Sequence, residues 1–170
     1  GHAVAYVTMA LRIAWFKVHY PQAYYAAYFT VRGDGFDAAT MLVDPDTCRA
    51  KIKEIKNMDN ASAKDKESQT ALELVLEMNM RGIHFLPVDL YKSDVRKFLI
   101  EDGNLRCPFT SLGGLGESAA LTIAAAREQA RFQSVEDLKE RGKVGTGVID
   151  LLRAHGTLEG LSETSQISMF

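Results

Sequence analysis

The 170 residues are 46% hydrophobic and 25% charged, a balance that suits a globular chain and excludes a wholly disordered one. Lys and Arg number 20 against 22 Asp and Glu, and the resulting net charge of -2 excludes an all-over basic surface of the kind that holds nucleic acid by bulk attraction. No apolar run reaches the ~18 residues of a membrane span, no basic-then-apolar leader opens the chain, and Cys48 and Cys107 are too few for a disulfide framework. A reducing, cytoplasmic setting is the expectation.

The charges are not evenly placed, but no segment is strongly basic. Residues 1–43 carry three basic and two acidic side chains, 44–82 seven and eight, 83–133 six and six, and 134–170 four and six. Contact with an anionic polymer would need a few placed cations or backbone N–H groups rather than a broad field.

In chain order, Val4, Val7, Leu11, Ala14, Trp15 and Val18 recur at helical spacing and predict a helix with a wide buried face. Pro21 separates it from a second helix over Ala23–Thr30, apolar on nearly all sides and broken by Gly33 and Gly35. Both are too apolar for a free surface and are expected to pack inside a larger body. Asp44-Pro45-Asp46 signals a helix start, with the helix running to about Met58. Ser62 to Asp65 resembles a capping box for an amphipathic helix that ends at Gly82. Residues 83–109 change character: Ile83, Phe85, Val88 and Leu90 approximate alternation, and Glu101-Asp102-Gly103-Asn104 is a turn signal. Two or three short strands are expected there.

Leu112-Gly113-Gly114-Leu115-Gly116 then places three glycines before a helix running to Arg127, with Leu112 and Leu115 as apolar pins. Glycines leave backbone N–H groups uncovered, and at a helix start those groups favour an anion. The pattern is that of a helix-hairpin-helix, a motif for sequence-independent phosphate contact; a plain glycine-rich helix connection is the alternative. A second, degenerate copy follows. Ser134 to Arg141 makes a short helix, Gly142 to Gly147 a hairpin holding Lys143, Gly145 and Gly147, and Val148–His155 the closing helix. Two pairs in tandem predict a compact four-helix unit. Lys143 is the obvious phosphate-facing cation, with Arg127, Arg131, Lys139 and Arg141 as further candidates.

Catalytic constellations are missing. His2, His19, His84 and His155 have no metal-ligand spacing with each other or with the cysteines. Asp44 and Asp46 have the separation of a two-metal carboxylate pair, but Pro45 and the helix start assign them to capping. The terminal Gln166-Ile167-Ser168-Met169-Phe170 is an apolar tail after a polar run, suited to anchoring in a partner's pocket or to folding back on its own core.

Taken together, HAVAY at residues 2–6, KVHYP at 17–21, YYAAYFTVR at 24–32, VDLYKS at 88–93, the Leu112–Gly116 hairpin, Asp137-Leu138 with Arg141-Gly142, and the terminal QISMF resemble the C-terminal part of the PolC-type DNA polymerase III alpha subunits of Gram-positive bacteria. The resemblance runs through essentially the whole chain and implies a piece of a much longer protein. It implies a mainly α fold. Residues 1–82 would be the tail of the fingers region, 83–109 a connector of short strands, 110–161 a tandem helix-hairpin-helix module, and 162–170 a tail with a sliding-clamp motif. Gly113, Gly114, Gly116, Lys143, Gly145 and Gly147 would meet double-stranded DNA without sequence preference. Gln166, Ile167, Met169 and Phe170 would bind the beta sliding clamp, and His2 and Lys17 would lie toward the incoming nucleotide. The remainder of the polymerase and replisome would be the other partners, with no membrane involved. The parent would be a Mg-dependent DNA-directed DNA polymerase whose catalytic carboxylates and exonuclease lie upstream, leaving this piece without cofactor or catalytic residue. Two departures stand out. Gly113 occupies a place where Pro is common, and Glu117 sets an acid where a phosphate would approach.

Overall fold

A computed structural model describes residues 1–164. It is mainly α-helical, with one small sheet. Helix α1 (His2–His19) and helix α2 (Pro21–Arg32) meet at Tyr20, and Pro21 occupies the first turn of α2, where its missing N–H costs nothing. The α1 helix forms as its periodicity predicts, but its expected buried face is bare: Val4, Val7, Leu11, Trp15 and Val18 are 50 to 70% exposed. The reason is local. Only the last turn of α1 is tied down, by an ion pair from Lys17 to Glu77 at 2.7 Å and a hydrogen bond from Arg81 to the Lys17 carbonyl at 3.0 Å. Helix α2 by contrast buries Tyr25, Ala26 and Phe29.

After a 3₁₀ turn at Gly33–Gly35 comes a four-residue helix, α3 (Ala38–Met41), which the sequence did not announce; Asp37 caps it by accepting from the Ala39 N–H. Helices α4 (Pro45–Lys56) and α5 (Ala63–Met80) then form a helical hairpin. Asp44 caps α4 by accepting from the Asp46 and Thr47 N–H groups, as its position predicts. The Ser62–Asp65 box is complete in both directions, so the shorter aspartate reaches as well as the usual glutamate. At the other end of α5, Gly82 adopts φ +75° and Ile83 donates to the Met78 carbonyl, closing the helix in the expected left-handed cap.

Strands β1 (Phe85–Leu86), β2 (Leu99–Glu101) and β3 (Asn104–Arg106) form a sheet of order β1-β3-β2. β1 runs parallel to β3, pairing Phe85 with Leu105, while β2 and β3 form an antiparallel hairpin about Asp102-Gly103. Both turn residues have positive φ, which matches the right-handed twist of the flanking strands. Val88 and Leu90 are buried as their spacing suggests, but in coil rather than strand. Asp89 turns the chain there by accepting from the Tyr91 and Lys92 N–H groups. Phe29, Phe36, Phe85 and Phe98 meet with ring centroids 4.8 to 5.7 Å apart, welding α2 to the sheet.

Glu101 accepts from Arg106 through Nε and Nη2 at 2.8 Å and from Lys92 at 2.6 Å. The Arg106 and Lys92 bonds hold its carboxyl down to about 2, against an ordinary 4.5. Because the folded carboxyl is the stronger acid, the brace contributes fully above about pH 4.5 and is lost as pH falls toward 2. Denaturant unfolding followed down this interval should show Glu101→Gln less stable than the parent at neutral pH, with the gap closing as the solution is acidified; a gap that stays constant with pH would contradict this.

The chain then passes a 3₁₀ turn (Phe109–Ser111) into helices α6 (Glu117–Gln129), α7 (Val135–Arg141) and α8 (Thr146–Ala154). The expected four-helix unit is therefore three α-helices and one 3₁₀ turn, because Pro108 and the hydrogen bonds of Phe109 and Thr110 to the 94–95 carbonyls leave no room for a full first helix. Ile123, Leu138 and Leu152 are fully buried where the three helices meet.

Candidate nucleic-acid interface

The two glycine hairpins share one backbone plan. In the first, Leu112 and Leu115 are 2 and 5% exposed and act as the expected pins, joined by a bond from the Leu115 N–H to the Leu112 carbonyl. Gly114 between them takes φ +96°, and Gly116 is an extended N-cap with no side chain to satisfy the first N–H groups of α6. In the second, Val144 is the buried pin, Lys143 takes φ +50°, and Gly145 is the extended N-cap of α8, again without a side-chain cap. Gly113-Gly114-Leu115-Gly116 thus aligns position for position with Gly142-Lys143-Val144-Gly145. Gly147 falls outside this register: it is the second residue of α8, not part of the hairpin, since the helix starts one residue after Gly145. Gly142 is required by space. A side chain there would begin 2.6 Å from the Leu138 carbonyl oxygen and 3.5 Å from Ile123, where α7 closes onto α6.

The hairpins differ in charge. At the first, the Asp37 carboxylate lies 3.6 Å from where a Gly113 side chain would start, and Glu117 at the start of α6 pairs with Arg96 at 3.0 Å. At the second, Lys143 is exposed and has no ion pair among the described residues, and Lys139 reaches the Thr146 hydroxyl at 3.3 Å. The degenerate copy is the electropositive one.

Of the arginines proposed for phosphate contact, Arg127 and Arg141 donate to backbone carbonyls of the fold, and Arg131 stays exposed over a ring. Arg127 donates to the Leu90 and Ser93 carbonyls at 3.0 and 2.7 Å and lies over the Phe109 ring. Arg131 stacks on Tyr91, 4.1 Å from the ring centre. Arg141 donates to the Ala126 and Ala130 carbonyls at 2.6 and 2.9 Å, pairs with Asp137, and covers Phe132. Arg96, which the sequence gave no reason to single out, stands beside the first hairpin by its pair with Glu117. It stands 21 residues from Glu117, a separation that carries no local signal.

His2 and Lys17 sit at opposite ends of α1, about 22 Å apart at the rise of a helix. His2 meets the edge of Tyr6, while Lys17 is held by Glu77 and lies 5.2 Å from the Tyr24 ring. Burial raises the Glu77 carboxyl, but the hydrogen bonds from Lys17 and Tyr25 and the charges of Lys17 and Arg81 together outweigh it, and the net direction is down. Burial, with the bond to Glu77, pushes the Tyr25 hydroxyl far above its usual range, so this junction keeps one charge pattern through ordinary pH. Among the described residues no three His, Cys, Asp or Glu converge on a metal-sized point, and no helix is long and apolar enough to cross a membrane. Gln166, Ile167, Met169 and Phe170 lie outside the described residues.

Comparison with known proteins agrees with this geometry. Residues 82–167 match the family model described as the helix-hairpin-helix motif. The whole chain is 50% identical to the DNA polymerase III PolC-type of Thermotoga petrophila, 53% to that of Halalkalibacterium halodurans and 50% to that of Bacillus subtilis. In each case all of this chain is covered and 12% of the relative, so the chain spans about one eighth of the relatives' length. The resemblance to PolC-type polymerases holds from one end of the chain to the other, and the chain belongs to the helix-hairpin-helix family.

Proposed function

We propose that this chain is the part of a PolC-type DNA-directed DNA polymerase that holds product duplex and tethers the enzyme to its sliding clamp. The observation that carries the reading is the repeated hairpin: two uncapped helix starts, each preceded by a residue of positive φ and an apolar pin, on a chain half identical to such polymerases. Unsatisfied N–H groups at these two helix starts suit phosphate oxygens and carry no base information. The second hairpin is the stronger contact, because Lys143 adds a cation and no carboxylate among the described residues pairs with it. Nucleotide addition would be Mg-assisted and belong to carboxylates outside this chain, which alone would be inactive. His2 and Lys17 would lie toward the nucleotide in the whole enzyme, and an unchanged nucleotide KM in His2→Ala and Lys17→Ala polymerases would remove that role. The bare face of α1 would be covered by the rest of the polymerase.

Titration with labelled duplexes tests the grip. Lys143→Ala should weaken binding several-fold for every sequence and reduce the slope of log K against log salt by about 1. Affinity that depends on base sequence, or that ignores both salt and Lys143, would overturn it; a pure packing module binds no duplex at all. For the tail, micromolar binding to the sliding clamp, about 8 kcal/mol, should vanish when Gln166–Phe170 is deleted. Clamp binding that survives the deletion would remove the tether.

A further inference from the structure

The first hairpin presents a contradiction. Its glycines fit the phosphate-binding pattern better than those of the second, yet the Asp37 and Glu117 carboxylates stand beside its amides. An anion arriving there by the amide route alone would meet two like charges. Next to the same hairpin opens a cleft of about 680 Å³, with Arg96, Lys97, Thr110 and Glu117 along it and Phe36 and Phe98 among its apolar lining. The turn that carries the two cations is fixed. Asp94 accepts from the Arg96 and Lys97 N–H groups at 2.8 and 2.7 Å. The Asp94 and Val95 carbonyls accept from Phe109 and Thr110, the residues that lead into the hairpin. Phe98 is anchored on the Thr30 hydroxyl at 3.0 Å.

We infer that the first hairpin meets DNA through the Arg96–Lys97 cleft as well as through its own amides, and that the occupant is the sugar–phosphate backbone of the bound duplex. This rests on the duplex-holding reading above and assigns the residues of its second contact. Charge and shape both favour that occupant. Arg96 and Lys97 are both exposed along the open cleft, with the Thr110 side chain beside them, which suits phosphate oxygens. Lys97 has no ion pair among the described residues. Arg96 spends its charge on Glu117 in an exposed pair, its side chain 69% accessible, and exposed pairs exchange readily for a better anion. Glu117 then acts as a placeholder that positions the guanidinium until phosphate arrives.

Duplex titration of the full chain tests this with four variants. Lys97→Ala and Arg96→Ala should each weaken binding several-fold and each reduce the salt slope by about 1. Glu117→Gln should tighten binding about threefold, because it frees Arg96 and removes a negative charge. Lys143→Ala is the internal reference. If Lys143→Ala weakens binding while Arg96→Ala and Lys97→Ala do not, the cleft is not a contact and this inference fails with the duplex reading intact. If Glu117→Gln leaves affinity unchanged or lowers it, the placeholder role fails. If none of the four changes affinity, the duplex reading itself is wrong. Unfolding midpoints within a degree of the parent would exclude damage to the fold as the cause of any loss.

Discussion

Replacing Arg141 with alanine is expected to destabilise the fold by about 3 kcal/mol, roughly a hundredfold in the unfolding equilibrium. The guanidinium closes α6 from outside. Its Nη2 serves the carbonyls of Ala126 and Ala130, which have no helical partner left, and Nη1 reaches Asp137 one turn earlier on α7. The cation also covers the Phe132 ring at 4.9 Å. Charged hydrogen bonds of this kind contribute about 1.5–3 kcal/mol each, and their loss would leave α6 carbonyls and Asp137 without their partner. Lysine keeps the charge but cannot fork, so Arg141→Lys should recover less than half of the loss. Urea unfolding of the two variants measures this directly. A loss under 1 kcal/mol for alanine would mean that Arg141 is surface charge after all, and would reopen it as a phosphate contact.

The second large effect concerns α1. Changing Val4, Val7 and Leu11 to polar residues is expected to turn a self-associating chain into a monomer while leaving its unfolding midpoint unchanged. These side chains are 70, 59 and 66% exposed, on a helix tied to the rest only by its last turn. Bare aliphatic and aromatic groups run along some 27 Å of helix, and a contiguous apolar face of this kind on a chain's surface favours association. Because the residues touch almost nothing, their replacement should alter stability by no more than about 0.5 kcal/mol. Sedimentation velocity over a concentration series separates the outcomes. A parent chain that stays monomeric at high concentration would show that the exposed stripe is harmless, and a fall in midpoint on substitution would show that α1 packs on its own chain.

Helix starts were the most legible part of the fold, because capping is a transaction among neighbours. Asp44, Ser62 and Ser134 each satisfy N–H groups two or three residues away, and Gly82 closes α5 by its own freedom at positive φ. The hairpins were legible for the same reason, down to the apolar pins at Leu112 and Leu115. The strand segment was only half legible. The Asp102-Gly103 turn announced its hairpin, but β1 pairs with β3 across some twenty residues, a contact set by packing against the phenylalanine cluster.

Sequence by itself determined the long helices and their caps, the two phosphate-pattern hairpins and the surplus of apolar surface in α1, since each depends on spacing of a few residues. Tertiary structure alone decided what the charges do. It turned Arg127 and Arg141 inward as braces, laid the exposed Arg131 over Tyr91, set Asp37 and Glu117 against the better-looking hairpin, and brought Arg96 to its side. A long cationic side chain can reach several ångströms in any direction, and whether it meets a carbonyl, a carboxylate or water depends on which distant segment folds within that radius. No local pattern encodes that outcome.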